Sequence, residues 1–64
     1  MTSKQFKATL VMLGYNNSIY PSQFILDEGR FLISVGHHSS AYLEVSGKQI
    51  GGTWSFDKLL QHIT

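Results

Sequence analysis

Three histidines are the side chains of this 64-residue chain best suited to chemistry near neutral pH: the adjacent pair His37-His38, and His62 close to the C-terminal end. Imidazole ligates metal ions and moves protons in this range. A metal site on a helix would space two histidines at i, i+4, and a catalytic one would bring a paired carboxylate; neither pattern is present. His37 and His38 instead fall between two apolar runs, where they read as a solvated loop, and His62 reads as a favourable cation at a helix end. No metal ligand and no cofactor are assigned.

Serine is frequent, but none sits in the strand–elbow–helix setting that presents a nucleophile. Gly51-Gly52 precedes a candidate helix as a phosphate loop would. No glycine-rich motif with lysine follows, so a flexible corner is the simpler reading. No catalytic residue is assigned, and the chain reads as non-enzymatic.

Composition narrows the partners. The formal charge is +1, and Lys4, Lys7, Arg30, Lys48 and Lys58 are scattered rather than clustered. Strong phosphate binding is not expected of such a pattern, so nucleic acid ranks below protein as a partner. No cysteine is present, which removes disulfides and thiolate zinc sites and fits a reducing compartment. No apolar segment has membrane-spanning length and the N-terminus lacks a signal pattern, so a cytoplasmic protein without membrane contact is expected. Asn16-Asn17-Ser18 has the form of a glycosylation sequon and reads as a polar loop. One domain over residues 1–64 is expected. A domain this small buries only about 60% of its unfolded surface, so a protein partner or a homodimer could supply missing burial.

These residues must be carried by a small set of elements. Thr2, followed by Gln5 three positions on, makes a capping box, and Phe6, Leu10 and Leu13 share one helical face, widened by Val11 and Met12. A helix over 3–13 ending at Gly14 follows. Tyr15–Ser22 reads as a connector, in which Ile19 and Tyr20 either extend the sheet or pack beneath the helix. At the other end, Ser55 is a good N-cap, Asp57 lies in the first turn, Trp54 and Leu59 match a hydrophobic staple, and Phe56, Leu59, Leu60 and Ile63 form one stripe.

Between the helices lie apolar runs split by glycine turns, the pattern of hairpins. Three turns can be tested against one another. A two-residue turn at Glu28-Gly29 sets Leu26 opposite Phe31. A five-residue loop Gly36–Ser40 sets Ile33 opposite Leu43. A two-residue turn at Ser46-Gly47 sets Leu43 opposite Ile50. All three put apolar residues on one face, whereas a slip of one residue would invert a strand. The row Phe24–Ile33–Leu43–Ile50 is therefore expected at the centre of the core. The order is α-β-β-β-β-α: an α+β fold, an antiparallel meander with both helices packed on one face.

The opposite face then carries Gln23, Ile25, Asp27, Arg30, Leu32, Ser34, Tyr42, Glu44 and Gln49, with Asp27 and Arg30 paired across the first turn. Ile25, Leu32 and Tyr42 form an apolar and aromatic patch with Arg30 and Glu44 at its rim. That is the composition of a protein contact, and these five residues are the candidate interface.

Two resemblances bear on function. The helix–strands–helix order and Leu13-Gly14-Tyr15 at the end of the first helix resemble the double-stranded-RNA-binding fold and its relatives, the HicA-type toxins, whose Gly-Ser-His motif serves RNA cleavage. This resemblance implies RNA binding or cleavage through His37 or His38. Gly36-His37-His38 departs from the motif in lacking the serine and in following the second strand of the meander. Ser55-Phe56-Asp57-Lys58 lacks the basic cluster that RNA-binding relatives carry there. In overall style, the capped leading helix ending in Leu-Gly-Tyr, the meander and the closing Ser-Phe-Asp-Lys-Leu-Leu helix resemble the small accessory proteins of tailed bacteriophages. That resemblance implies a module that binds, and often inhibits, a host or phage protein. A structural or virion-associated subunit is a further alternative.

Overall fold

The computed structural model describes all 64 residues. The elements are α1 (Ser3–Met12), β1 (Asn16–Asn17), β2 (Gln23–Leu26), β3 (Phe31–Val35), β4 (Ser40–Val45), β5 (Lys48–Ser55) and α2 (Phe56–Ile63). The strands form one antiparallel sheet in the order β1-β2-β3-β4-β5, a meander flanked by two helices. The α+β fold matches the sequence reading, with one strand more. Asn16 and Asn17, expected within a connector, pair with Ile25 and Phe24 and form a short edge strand.

Local chemistry sets the ends of α1. The Thr2 hydroxyl accepts from the Gln5 N–H at 3.1 Å, while the Gln5 side chain accepts from the Thr2 N–H at 2.9 Å, the reciprocal capping box. At the other end Gly14 takes φ +100°, a left-handed value that a side chain would resist. The Tyr15 N–H then bonds Leu10 O at 3.0 Å and the Gly14 N–H bonds Val11 O at 3.0 Å. These two bonds are a complete Schellman motif, and they turn Tyr15 inward beside Leu10, where both are buried.

The sheet register follows the alternation of the sequence. Phe24 pairs with Ile33, Ile33 with Leu43 and Leu43 with Ile50. Phe24, Ile33 and Leu43 are buried together with Phe6, Leu10, Tyr15, Val35, Ala41, Phe56 and Leu59. Phe6 of α1 and Phe56 of α2 stack with centroids 4.2 Å apart and planes 8° apart, locking the two helices to each other over this face.

Several expectations are corrected. Ile50 keeps its place in the row but is 37% exposed, because β5 is the edge strand and nothing lies beyond it. Leu13, Val11 and Met12 are exposed, since Leu13 is the C-cap and the Schellman turn gives the inward position to Tyr15. Ile19 and Tyr20 neither extend the sheet nor pack beneath α1; Ile19 is 88% exposed. Gly51-Gly52 is not a corner between elements. β5 runs through both glycines to Ser55, with an irregularity in register between Ala41 and Leu43. Gly51, Gly52 and Thr53 together oppose Tyr42, so the strand bulges there. Gly51 adopts φ +68°, and a Cβ at this position would lie 3.1 Å from the Trp54 indole. The indole folds back over Gly51 and donates from Nε1 to Ile50 O at 2.8 Å, which ties down the bulged edge.

Candidate functional site

The open face of the sheet is built by alternation. One row runs Asn16–Ile25–Leu32–Glu44–Gln49, and beside it lies Gln23–Ser34–Tyr42. Ile25 and Leu32 are direct cross-strand partners, as are Leu32 and Glu44. Tyr42 sits diagonal to Leu32, a spacing an aromatic ring can bridge. Four of the five candidate interface residues, Ile25, Leu32, Tyr42 and Glu44, thus share one surface. Tyr42 is 43% exposed, and the other three are half-buried by their neighbours on the sheet.

Arg30 is placed differently. Asp27 and Glu28 take φ 56° and 57°, ahead of Gly29 at 90°. This run of left-handed residues interrupts the alternation one position before the expected turn. Asp27 and Arg30 are joined by a backbone bond, Arg30 N–H to Asp27 O at 3.1 Å. The Arg30 guanidinium lies 5.6 Å from the centroid of the Phe31 ring, a cation–π contact with a residue of the covered face.

The open face is shallowly concave. Gln23, Ser34, Tyr42, Glu44 and Gln49 line a depression of about 340 Å³. Glu44 is the one charged residue in the two rows, and neither row contains a lysine or arginine. The surface therefore offers amide and hydroxyl donors and acceptors, one carboxylate and an apolar strip.

The histidines do not converge. His37 and His38 are exposed in the β3–β4 loop, which is closed by the Gly36 N–H to Ser40 O bond at 2.7 Å. His62 lies on α2 with its ring 4.9 Å from that of Trp54. No three His, Asp or Glu side chains gather as a metal site would require.

A second concavity, not expected from the sequence, opens on the covered face. Tyr15 and the strand-end residues Leu26, Phe31 and Val45 wall an apolar cleft of about 260 Å³, with Leu43 at its floor and His62 and Ile63 closing it from α2. Its origin is a length mismatch. Ser55 ends β5 and caps α2, accepting the Lys58 N–H at 3.3 Å, so α2 starts without a loop beside Ser40 and runs back over the sheet. Eight helical residues rise about 12 Å. The six residues of β4 extend about 20 Å. The helix therefore stops short of the Leu26, Phe31 and Val45 end.

No family model, curated protein or solved structure matches this chain. No helix is long and apolar enough to cross a membrane.

Proposed function

We propose that this chain is a small non-enzymatic binding module that recognises a protein through the open face of its sheet. The observation that supports this reading is the asymmetry of the sheet. Both helices pack on one face, while the other keeps Ile25, Leu32 and Tyr42 together without cover. Interfaces draw their affinity from a few apolar and aromatic anchors, here Tyr42 and Leu32, with polar groups such as Glu44 fixing orientation. Arg30, exposed at the β2–β3 turn with its guanidinium near the Phe31 ring, contributes from the rim. The absence of lysine and arginine from both rows favours a protein over a phosphate backbone as occupant. The similarity in style to accessory proteins of tailed bacteriophages points to a host or phage protein whose activity is modulated. Self-association through the same face is the homodimeric form of this reading.

Leu32→Glu tests the proposal. The variant keeps its circular dichroism and melting cooperativity, and loses either the partner captured by the wild type from bacterial lysate or the dimer mass seen by light scattering. If capture and mass are both unchanged in a folded variant, the open face is not the interface. A salt-dependent RNA mobility shift that His37→Ala and His38→Ala abolish would replace this reading with the ribonuclease one.

A further inference from the structure

One charge stands on the open face without a counterpart. Glu44 pairs across the sheet with Leu32 on one side and Gln49 on the other, and it is half-buried there. No side chain of the protein donates a hydrogen bond to its carboxylate. The cations of the chain are placed elsewhere. Lys48 pairs with Val45, which packs against the core, so strand alternation sets it on the other face. Arg30, the one arginine of the chain, has its guanidinium 5.6 Å from the centroid of its own Phe31 ring. A carboxylate partly withdrawn from water attracts a cation more strongly than one in open solvent, because less water screens the pair.

An aromatic ring stands beside this charge. Tyr42 lies two positions before Glu44 on β4, so both side chains leave the same face. Tyr42 is 43% exposed, and its ring meets no other aromatic ring and no cation of the protein. Two of the three residues opposite it on β5 are Gly51 and Gly52, and a Cβ added at Gly52 would meet nothing within 4 Å. The bulge thus leaves the ring without a bulky neighbour on that side. Gln23, Ser34 and Gln49 complete the depression of about 340 Å³, and none of their side chains is engaged in a hydrogen bond within the protein.

A carboxylate, an aromatic face and unengaged amide and hydroxyl oxygens together match one cation best. A guanidinium group offers two parallel N–H donors to a carboxylate, stacks its plane on an aromatic ring, and has further N–H groups for neutral oxygens. An ammonium group can meet the carboxylate but has no plane to lay on the ring. We propose that this depression is a subsite for an arginine side chain presented by a separate protein partner, paired to Glu44 and stacked on Tyr42. The proposal rests on the protein-binding reading of the open face and names the group the partner inserts. Ile25 and Leu32, in the same row as Glu44, receive an apolar residue next to that arginine. Arg30 of a second copy is a poorer source, since it is already held against Phe31.

The test is a nitrogen-15 NMR titration of the full chain with the capped tripeptide acetyl-Leu-Arg-Leu-amide. The same peptide with citrulline, the neutral isostere of arginine, and with lysine are the comparisons. The arginine peptide shifts the amides of Leu32, Ser34, Tyr42, Glu44 and Gln49 in a saturable manner and binds roughly tenfold more tightly than the citrulline peptide, the value of a charge-assisted contact. Glu44→Gln, with its circular dichroism unchanged, brings the two peptides to the same affinity. Tyr42→Leu weakens the arginine peptide by roughly threefold, and Tyr42→Phe, which keeps the ring face, restores it. Equal binding of the arginine and citrulline peptides to the wild type, or an arginine preference that survives Glu44→Gln, overturns the proposal. Tighter binding of the lysine peptide removes the assignment to arginine, and a dimer in solution that Arg30→Gln dissolves removes the assignment to a separate partner. The subsite and the broader reading fail separately. If Leu32→Glu abolishes partner capture while the peptides do not discriminate, the open face remains the interface and only the arginine subsite falls.

Discussion

The two faces of this sheet are made by the same strands and differ only in which alternate residues each presents. On the covered face, Phe24, Ile33 and Leu43 meet Phe6, Leu10, Phe56 and Leu59 in continuous contact. On the open face, Ile25, Leu32 and Tyr42 stand among Gln23, Ser34, Glu44 and Gln49. The comparison separates two uses of apolar side chains. Those on the first face hold the chain together. Those on the second lie outside the buried cluster and are covered by neither helix.

Substitutions at matched positions break or sharpen this contrast. Leu43→Ala, at a fully buried site, is expected to cost about 2–5 kcal/mol. In a domain of this size that removes most of the stability, and urea unfolding reads it directly. Gly51→Val adds a β-branched side chain at φ +68° and drives a Cβ toward the Trp54 indole at 3.1 Å. Its expected cost is about 1–3 kcal/mol from backbone strain, seen as a lower melting temperature and a change in Trp54 fluorescence. Thr2→Ala dismantles the capping box and is expected to cost about 1 kcal/mol, measured by the same unfolding curves. Leu32→Ala on the open face is expected to cost less than about 1 kcal/mol while weakening partner binding. A loss as large as that of Leu43→Ala would show that the open face belongs to the core.

The smallest effect is one of pH. Burial pushes the Tyr15 phenol above its ordinary value of 10.0. Below pH 10 the group is protonated in both the folded and unfolded chain and contributes no pH dependence. As pH rises through 10, the unfolded chain releases its proton first, so stability falls. Tyr15→Phe is therefore expected to flatten part of the alkaline decline of the melting temperature.

How much of this was legible depended on the range of the interaction. Thr2, Gln5, Gly14 and Ser55 announced their helix ends because capping is a contact between residues three or four apart. The register was legible because three turns had to agree on one apolar face, and each turn is itself local. The five-residue candidate interface was less fully legible. Alternation located Ile25, Leu32, Tyr42 and Glu44, but it extrapolated through a turn to Arg30, where left-handed Asp27 ended the alternation. The bulge at Gly51–Thr53 was missed because two adjacent glycines have no side-chain pattern from which to read a face.

The sequence by itself determined the two helices and the four strands β2 to β5 in their order, the inward and outward residues of β2, β3 and β4, and the caps of both helices, since each follows from backbone sterics and hydrogen bonds within a few residues; the edge strand β1 it read as a connector. Tertiary structure alone decided that Ile50 is left at a wet edge and that Tyr15 lines an unfilled apolar space. Those outcomes depend on how far α2 reaches across the sheet and on which strand lies outermost. Both are distances between segments remote in the chain, set only when the layers pack.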